Sequence, residues 1–225
     1  MLLDEVLRQA QDLGFFGPGD MRRHRQHSEA FVALVLRALG PEHPERFLDL
    51  GSGGGLPGLV LAEALPDTPG TLLDSQHRRT GFLERAVADL GWGDRIGVVN
   101  ARAEDAARDP AHRARYSLVV ARSFGAPAVT AECAVGFLEP GGRLIVSEPP
   151  TTEPPTSEPN RAGAPGTGDR PGRWDPVGLT QLGFDPPEPT VTSRPDATIA
   201  TLRLPDGPPA RWPRRSGIPS KRPLW

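Results

Sequence analysis

The chain has 225 residues, 26 basic against 28 acidic side chains, a formal charge of −2, and 37% apolar residues beside 26 glycines. That is ordinary for a globular protein and excludes a wholly disordered chain; the length suggests one domain with an appendage. The lone Cys133 excludes an intramolecular disulfide and suits a reducing cytosol. No apolar run approaches ~18 residues, so no membrane span is expected, and Asp4 and Glu5 stand where an export signal would be basic.

Leu2, Leu3, Val6, Leu7, Ala10 and Leu13 recur at helical spacing and predict a first helix. A second is expected from about Ser28, read as its N-cap, through Phe31, Val35 and Leu39 to Gly40-Pro41. Residues 46–50 (RFLDL) read as a buried strand, 56–65 (LPGLVLAEAL) as a helix and 71–75 (TLLDS) as a strand. From about Thr80 a helix places Leu83, Val87 and Leu90 on one face. RIGVVN and YSLVVARS are further strands. Pro127 opens a helix over Val129, Ala134, Phe137 and Leu138, followed by the turn EPGG and the strand RLIVSE. This alternation predicts an α/β fold with a doubly wound, mostly parallel sheet behind N-terminal helices. Right-handed crossovers bring the strand ends to one edge, where a ligand binds.

Residues 1–148 hold 9 of the 27 prolines, and residues 149–225 the other 18. Within 149–172, 11 of 24 residues are Pro or Gly and none is Val, Ile, Leu or Phe. Such a stretch cannot bury enough apolar surface to offset its ordering entropy. The expected layout is a helical extension over 1–45, a ligand-binding core over 46–148, a flexible loop over 149–172, and a C-terminal part of the same domain over 173–225. In that last part residues 179–204 read as strand-like, and the tail from Pro208 carries five positive side chains and no acid.

The run Asp49-Leu50-Gly51-Ser52-Gly53-Gly54-Gly55-Leu56-Pro57-Gly58 follows the first strand and opens a helix. Glycine permits a tight turn with positive φ and close approach of a ligand, and helix N–H groups beyond it are expected to face the crevice. A bare glycine cluster is also a plain strand–helix turn, so context decides. Asp74 ends the second strand, 23 residues after Gly51, where an acid can accept hydrogen bonds from both ribose hydroxyls of a nucleoside. A dinucleotide site usually reads G-x-G-x-x-G, and its third glycine would fall at Leu56. Here Asp49 precedes the glycines. An acid beside the loop disfavours a pyrophosphate and tolerates the cationic sulfonium and amino group of S-adenosylmethionine. Gly51, Gly53 and Asp74 are therefore candidate contacts to that methyl donor, ahead of a nicotinamide cofactor.

The segments FLDLGSGGGLPGLVLA, LLDSQHRRTGFLERA, Arg102-Ala103-Glu104, YSLVVARSFGA and PRRSGIPSKRPL together resemble the bacterial 16S rRNA guanine-N7 methyltransferase family (RsmG, formerly GidB). The similarity covers most of 47–148 and returns at 212–224. It implies a class I methyltransferase fold, a Rossmann-like three-layer sandwich with a seven-stranded sheet. It implies S-adenosylmethionine as cofactor, with contacts at Gly51, Leu56, Ala103, Glu104 and Arg122. The expected protein is a monomeric cytoplasmic enzyme whose partner is 16S rRNA or the small ribosomal subunit, with no DNA and no membrane. Two departures mark a divergent member. Ser147-Glu148-Pro149-Pro150 stands where the family commonly has a Lys-Gly pair, so an acid replaces a base. MRRHRQHSEAF only loosely matches the family's His-x-x-Asp-Ser run. A small molecule or another RNA as target, or a non-catalytic donor-binding protein, are the alternatives.

Guanine N7 has an exposed lone pair and no proton, so its methylation needs alignment and charge stabilisation rather than a strong base. No Asp/Asn-Pro-Pro-aromatic motif follows the VVARS strand, as exocyclic-amine methylation would suggest. Cys133 sits mid-helix without a Pro-Cys pair and reads as a core residue. Arg122 ends its strand at the expected crevice, where it can grip the donor, guanine O6 or a phosphate. Arg102, Arg214, Arg215, Lys221 and Arg222 are candidate RNA contacts, and Arg22, Arg23 and Arg25 add a basic segment at the other end of the chain. Trp212 and Trp225 read as anchors of the tail. No His/Cys cluster has metal-ligand spacing, so no metal is expected.

Overall fold

Alternate residues of the central strands point into two separate apolar layers, and that period of two produces a three-layer sandwich. In the computed structural model, residues 1–17, 19–40, 43–149, 173–187, 191–194 and 197–225 are described. Helices α1 (Leu3–Asp12) and α2 (Met21–Leu39) lead into β1 (Phe47–Leu50), α3 (Gly58–Ala64), β2 (Gly70–Asp74), α4 (His77–Asp89) and β3 (Ile96–Asn100). There follow α5 (Ala103–Ala106), β4 (Tyr116–Ala121), α6 (Pro127–Val135), β5 (Leu138–Glu148), α7 (Pro176–Leu182), β6 (Val191–Arg194), β7 (Ala197–Arg203) and α8 (Ile218–Lys221). The seven-stranded sheet has the order β3-β2-β1-β4-β5-β7-β6. Strands β1 to β5 are parallel, and β7 runs antiparallel between β5 and β6.

Phe47, Leu118, Val120 and Ile145 join the buried faces of α1 to α4 in one core layer. Their neighbours Leu48, Val119, Ala121, Leu144 and Val146 join α6, α7 and Trp212 in the other. Each Leu or Phe buried this fully contributes about 1.5–3 kcal/mol. From β1 the chain crosses to β2 on one side, while β3 returns to β4 on the other. The order therefore reverses between β1 and β4, and a crevice opens beyond their C-terminal ends.

Several boundaries differ from the sequence expectation. Helix α2 begins at Met21 because the Asp20 side chain accepts the Arg22 N–H at 2.9 Å. Ser28 lies buried inside the helix, with its hydroxyl donating to the His24 carbonyl at 3.0 Å. Strand β5 starts at Leu138 and runs through the EPGG read as a turn. Residues 179–182, read as strand-like, belong to α7. Asp175 caps that helix through the Gly178 N–H at 2.7 Å, Pro176 opens it, and Gly183 ends it at φ 92°. The loop expected over 149–172 lies, beyond Pro149, outside the described residues.

The tail is bound to the α6 layer. Arg214 donates to both oxygens of the fully buried Glu132 at 2.8 and 2.6 Å. Trp212 Nε1 donates to the Gln181 carbonyl at 2.8 Å, and Trp225 Nε1 to the Arg173 carbonyl at 3.1 Å. A Cβ on Gly178 would collide with the Trp225 ring. Among the described residues no helix is long and apolar enough to cross a membrane.

Candidate active site

Two adjoining cavities, about 670 and 410 Å³, open at the switch point and share Gly51, Arg79 and the Ser123–Gly125 turn that follows β4. The larger also takes in Gly53, Leu56, Arg122 and Glu148. The smaller takes in Asp74, Arg102, Ala103 and Glu104. The seven candidate cofactor contacts thus divide between two connected spaces.

The glycine loop rests on Asp49. Its Oδ2 accepts the Gly58 N–H at 2.9 Å, and a Cβ at Gly58 would collide with that carboxylate, so the close approach requires glycine. The first N–H of α3 is therefore spent on Asp49, and Leu59 N donates to the Gly55 carbonyl at 2.8 Å. The helix start does not present these groups to the crevice as the sequence suggested. Asp49 is 1% exposed. Burial pushes its carboxyl up to about 6, against the pull of Ser52, the Gly58 N–H and Arg122. Asp49 Oδ1 and the Ser52 hydroxyl are both buried and lie beside each other, close enough for the hydroxyl to favour the charged carboxylate but without a well-aligned hydrogen bond. At Gly53, φ is 60° and an added Cβ would meet only the Gly51 carbonyl oxygen, at 3.9 Å, so the space above it is open. The residues present therefore fit a cofactor with a nucleoside and a cationic end.

Asp74 is 5% exposed at the end of β2. Its Oδ2 accepts the Gly53 N–H and its Oδ1 the Gln76 N–H, both at 2.9 Å. Each oxygen retains a lone pair for a hydroxyl in the smaller cavity. Arg79, in the first turn of α4, lies 3.5 Å from Asp74 Oδ2, with its Nε buried and unpartnered. Glu104 is also buried. Its Oε1 accepts the Gly217 N–H at 2.7 Å, so the C-terminal tail braces this end of the site, and Ser220 lines the smaller cavity. Arg102 is exposed, 3.9 Å from Glu104 Oε2. Cys133 is 2% exposed, and burial pushes its thiol up, as expected of a core residue.

Arg122 donates to the Ser28 hydroxyl at 2.9 Å, and burial lowers its pKa against the opposing charge of Asp49. Among the described residues no acid pairs with it. Of the other basic candidates, Arg102 borders the smaller cavity and the rest line neither. Arg214 is committed to Glu132. Arg22 pairs with Asp20 at 2.9 Å, and Arg25 binds Asp4, Glu29 and Glu63, tying α1, α2 and α3 together. Arg215, Lys221 and Arg222 are exposed on the tail, and Arg214's Nη2 also donates to the Arg222 carbonyl at 2.7 Å. Sequence reasoning missed Phe16, His24 and His27 as cavity-lining residues; the sign was the His-x-x-x-Ser spacing noted only as a loose match. Among the described residues no group of three metal-ligating side chains occurs.

The fold is similar to that of an S-adenosylmethionine-dependent methyltransferase from Aquifex aeolicus, with a TM-score of 0.57 at 15% identity, covering 88% of this chain and 98% of that one. It is also similar to the pyocyanin biosynthetic protein PhzM, with a TM-score of 0.54 at 16% identity, covering 82% and 55%. These likenesses show a class I methyltransferase fold. The family model of rRNA small subunit methyltransferase G, GidB, matches residues 22–150. Proteins of that name are 35% identical over 189 residues in Rubrobacter xylanophilus, 84% of this chain and 67% of that one, and 32% identical over 201 residues in Symbiobacterium thermophilum, 86% and 75%. A Prochlorococcus marinus relative is 39% identical over 121 residues, and the match spans only 49% of its length. The chain belongs to the rRNA small subunit methyltransferase G family.

Proposed function

We propose that this protein transfers a methyl group from S-adenosylmethionine to N7 of a guanine in 16S rRNA, in the cytoplasm. The observation that carries the reading is the pair of cavities meeting at Gly51 and the Ser123–Gly125 turn. One has the groups for a nucleoside and the other has room and cations for an acceptor. In this reading Asp74 accepts the ribose hydroxyls, Ala103 and Glu104 border the base, and Gly51, Gly53 and Leu56 give backbone access to the methionine end. When bound, the cofactor supplies an electrophilic methyl on a sulfonium.

The chain's own contribution is alignment and exclusion of water. N7 carries no proton, so no residue has to remove one. Arg122, half-buried with no paired acid among the described residues, offers donors to guanine O6 and holds N7 toward the shared edge of the cavities. Phe16, Phe124 and Trp174 wall the larger cavity and limit water, which strengthens these electrostatic contacts. A second reading keeps the enzyme class and changes the acceptor, because Glu148 stands on the wall of the acceptor cavity.

Calorimetry with S-adenosylmethionine followed by transfer of labelled methyl to unmodified 30S particles tests the proposal. Donor binding with transfer to 16S rRNA is the expected result. Donor binding with transfer only to a metabolite pool favours the second reading, and no donor binding removes both.

A further inference from the structure

Glu148 is a buried acid at the C-terminal end of β5, 8% exposed on the wall of the larger cavity. A carboxylate there, left alone, would be costly to bury and would repel an anionic acceptor. Two residues from just before α7 meet it. Trp174 Nε1 donates to Oε1 at 3.0 Å, and Arg173 Nε lies 2.5 Å from Oε2. Trp174 is itself packed into the α6–α7 layer, and the Arg173 carbonyl is fixed by Trp225 Nε1 at 3.1 Å. The arginine is therefore held by its backbone and by one edge of its guanidinium, while its side chain remains 51% exposed in the same cavity.

Such a pair, with its arginine half in water, contributes little to stability. Its product is a guanidinium whose inner nitrogen is engaged and whose plane is set. The remaining donors have the fork spacing that matches two oxygens of a phosphate, with less rotamer entropy left to lose on binding. The surroundings favour an anion. Glu148 is the one acid among the described residues lining this cavity, against Arg79, Arg122 and Arg173; Arg79 also faces Asp74, and Arg122 feels Asp49, from behind the wall.

We propose that Arg173 binds a backbone phosphate of the RNA acceptor at the larger cavity, and that Glu148 positions it. The inference rests on the reading of the acceptor as RNA. It also changes what Glu148 means: the acid recruits a cation to the acceptor end rather than marking its loss.

The test measures KM and kcat for 30S particles, donor affinity, and the salt dependence of binding to 16S rRNA. Arg173→Gln is expected to raise KM roughly tenfold and to lower the log–log salt slope by about one, with kcat and donor affinity unchanged. Arg173→Lys keeps the charge and is expected to retain the slope. Glu148→Gln discriminates best. Removing a negative charge should by itself tighten RNA binding, whereas loss of positioning raises KM several-fold with the slope retained. Unchanged KM and slope in Arg173→Gln overturn the phosphate contact, and a lowered KM in Glu148→Gln overturns the positioning role. If the parent chain binds 16S rRNA with this salt dependence but transfers no methyl, the methyltransferase reading fails while the contact stands.

Discussion

Asp49 joins the chemistry of the glycine loop to the stability of the fold. Its folded pKa of about 6 lies above the ordinary 3.8, so the folded chain holds this proton more tightly than the unfolded chain. Protonated Asp49 contributes stability that is fully present below about pH 4 and is lost as pH rises through 6. Asp49→Asn keeps an acceptor for the Gly58 N–H and cannot titrate. Urea unfolding should show the parent gaining on the variant by roughly 2 kcal/mol between pH 7 and pH 4; a constant difference would mean the carboxyl is not coupled to folding. Gly53→Val should fold, because an added Cβ meets nothing closer than 3.9 Å. It places a branched side chain in the crevice at φ 60°, a conformation costing a β-branched residue roughly 1–2 kcal/mol. Calorimetry should find donor binding abolished, and normal binding would show the loop is misassigned. Asp74→Ala should weaken donor binding by roughly 1–3 kcal/mol, and an unchanged Kd would argue against the ribose contact.

Among the elements, the C-terminal tail shows how far local sequence can be read. The glycine loop, Asp74 and the strands β1 to β4 were legible because their signals are local: apolar runs, turn residues and an acid at a strand end. The role of Arg214 was not, because its partner Glu132 lies 82 residues away and is 0% exposed. Arg214 belongs to a cluster of positive residues without acids in the sequence, and the fold brings a buried acid to that one member. The same holds for Arg25, whose partner Glu63 is 38 residues distant. For α7, the β-branched residues that follow outweighed the Asp175-Pro176 start and the Gly183 stop. Arg214→Ala should destabilise the fold by about 3–5 kcal/mol, because it leaves a buried carboxylate uncompensated. Thermal unfolding of Arg214→Met with Glu132→Leu should recover most of that loss. If Arg214→Ala unfolds like the parent, the tail is not anchored by this pair.

At the scale of the whole molecule, a net charge of −2 coexists with three arginines on the wall of the larger cavity, so a polyanion docking there would be met by a local field and not by the overall balance. The seven-stranded sheet positions the crevice without choosing the acceptor, since this fold also serves the pyocyanin biosynthetic protein PhzM. In the proposed reading, the acceptor is decided by what Arg122, Arg173 and Glu148, which line the larger cavity, can hold there. Mass spectrometry of nucleosides from 16S rRNA, in cells lacking this protein and in the same cells with it restored, examines that most directly. N7-methylguanosine should be depleted in the first and regained in the second; equal amounts in both would contradict the account.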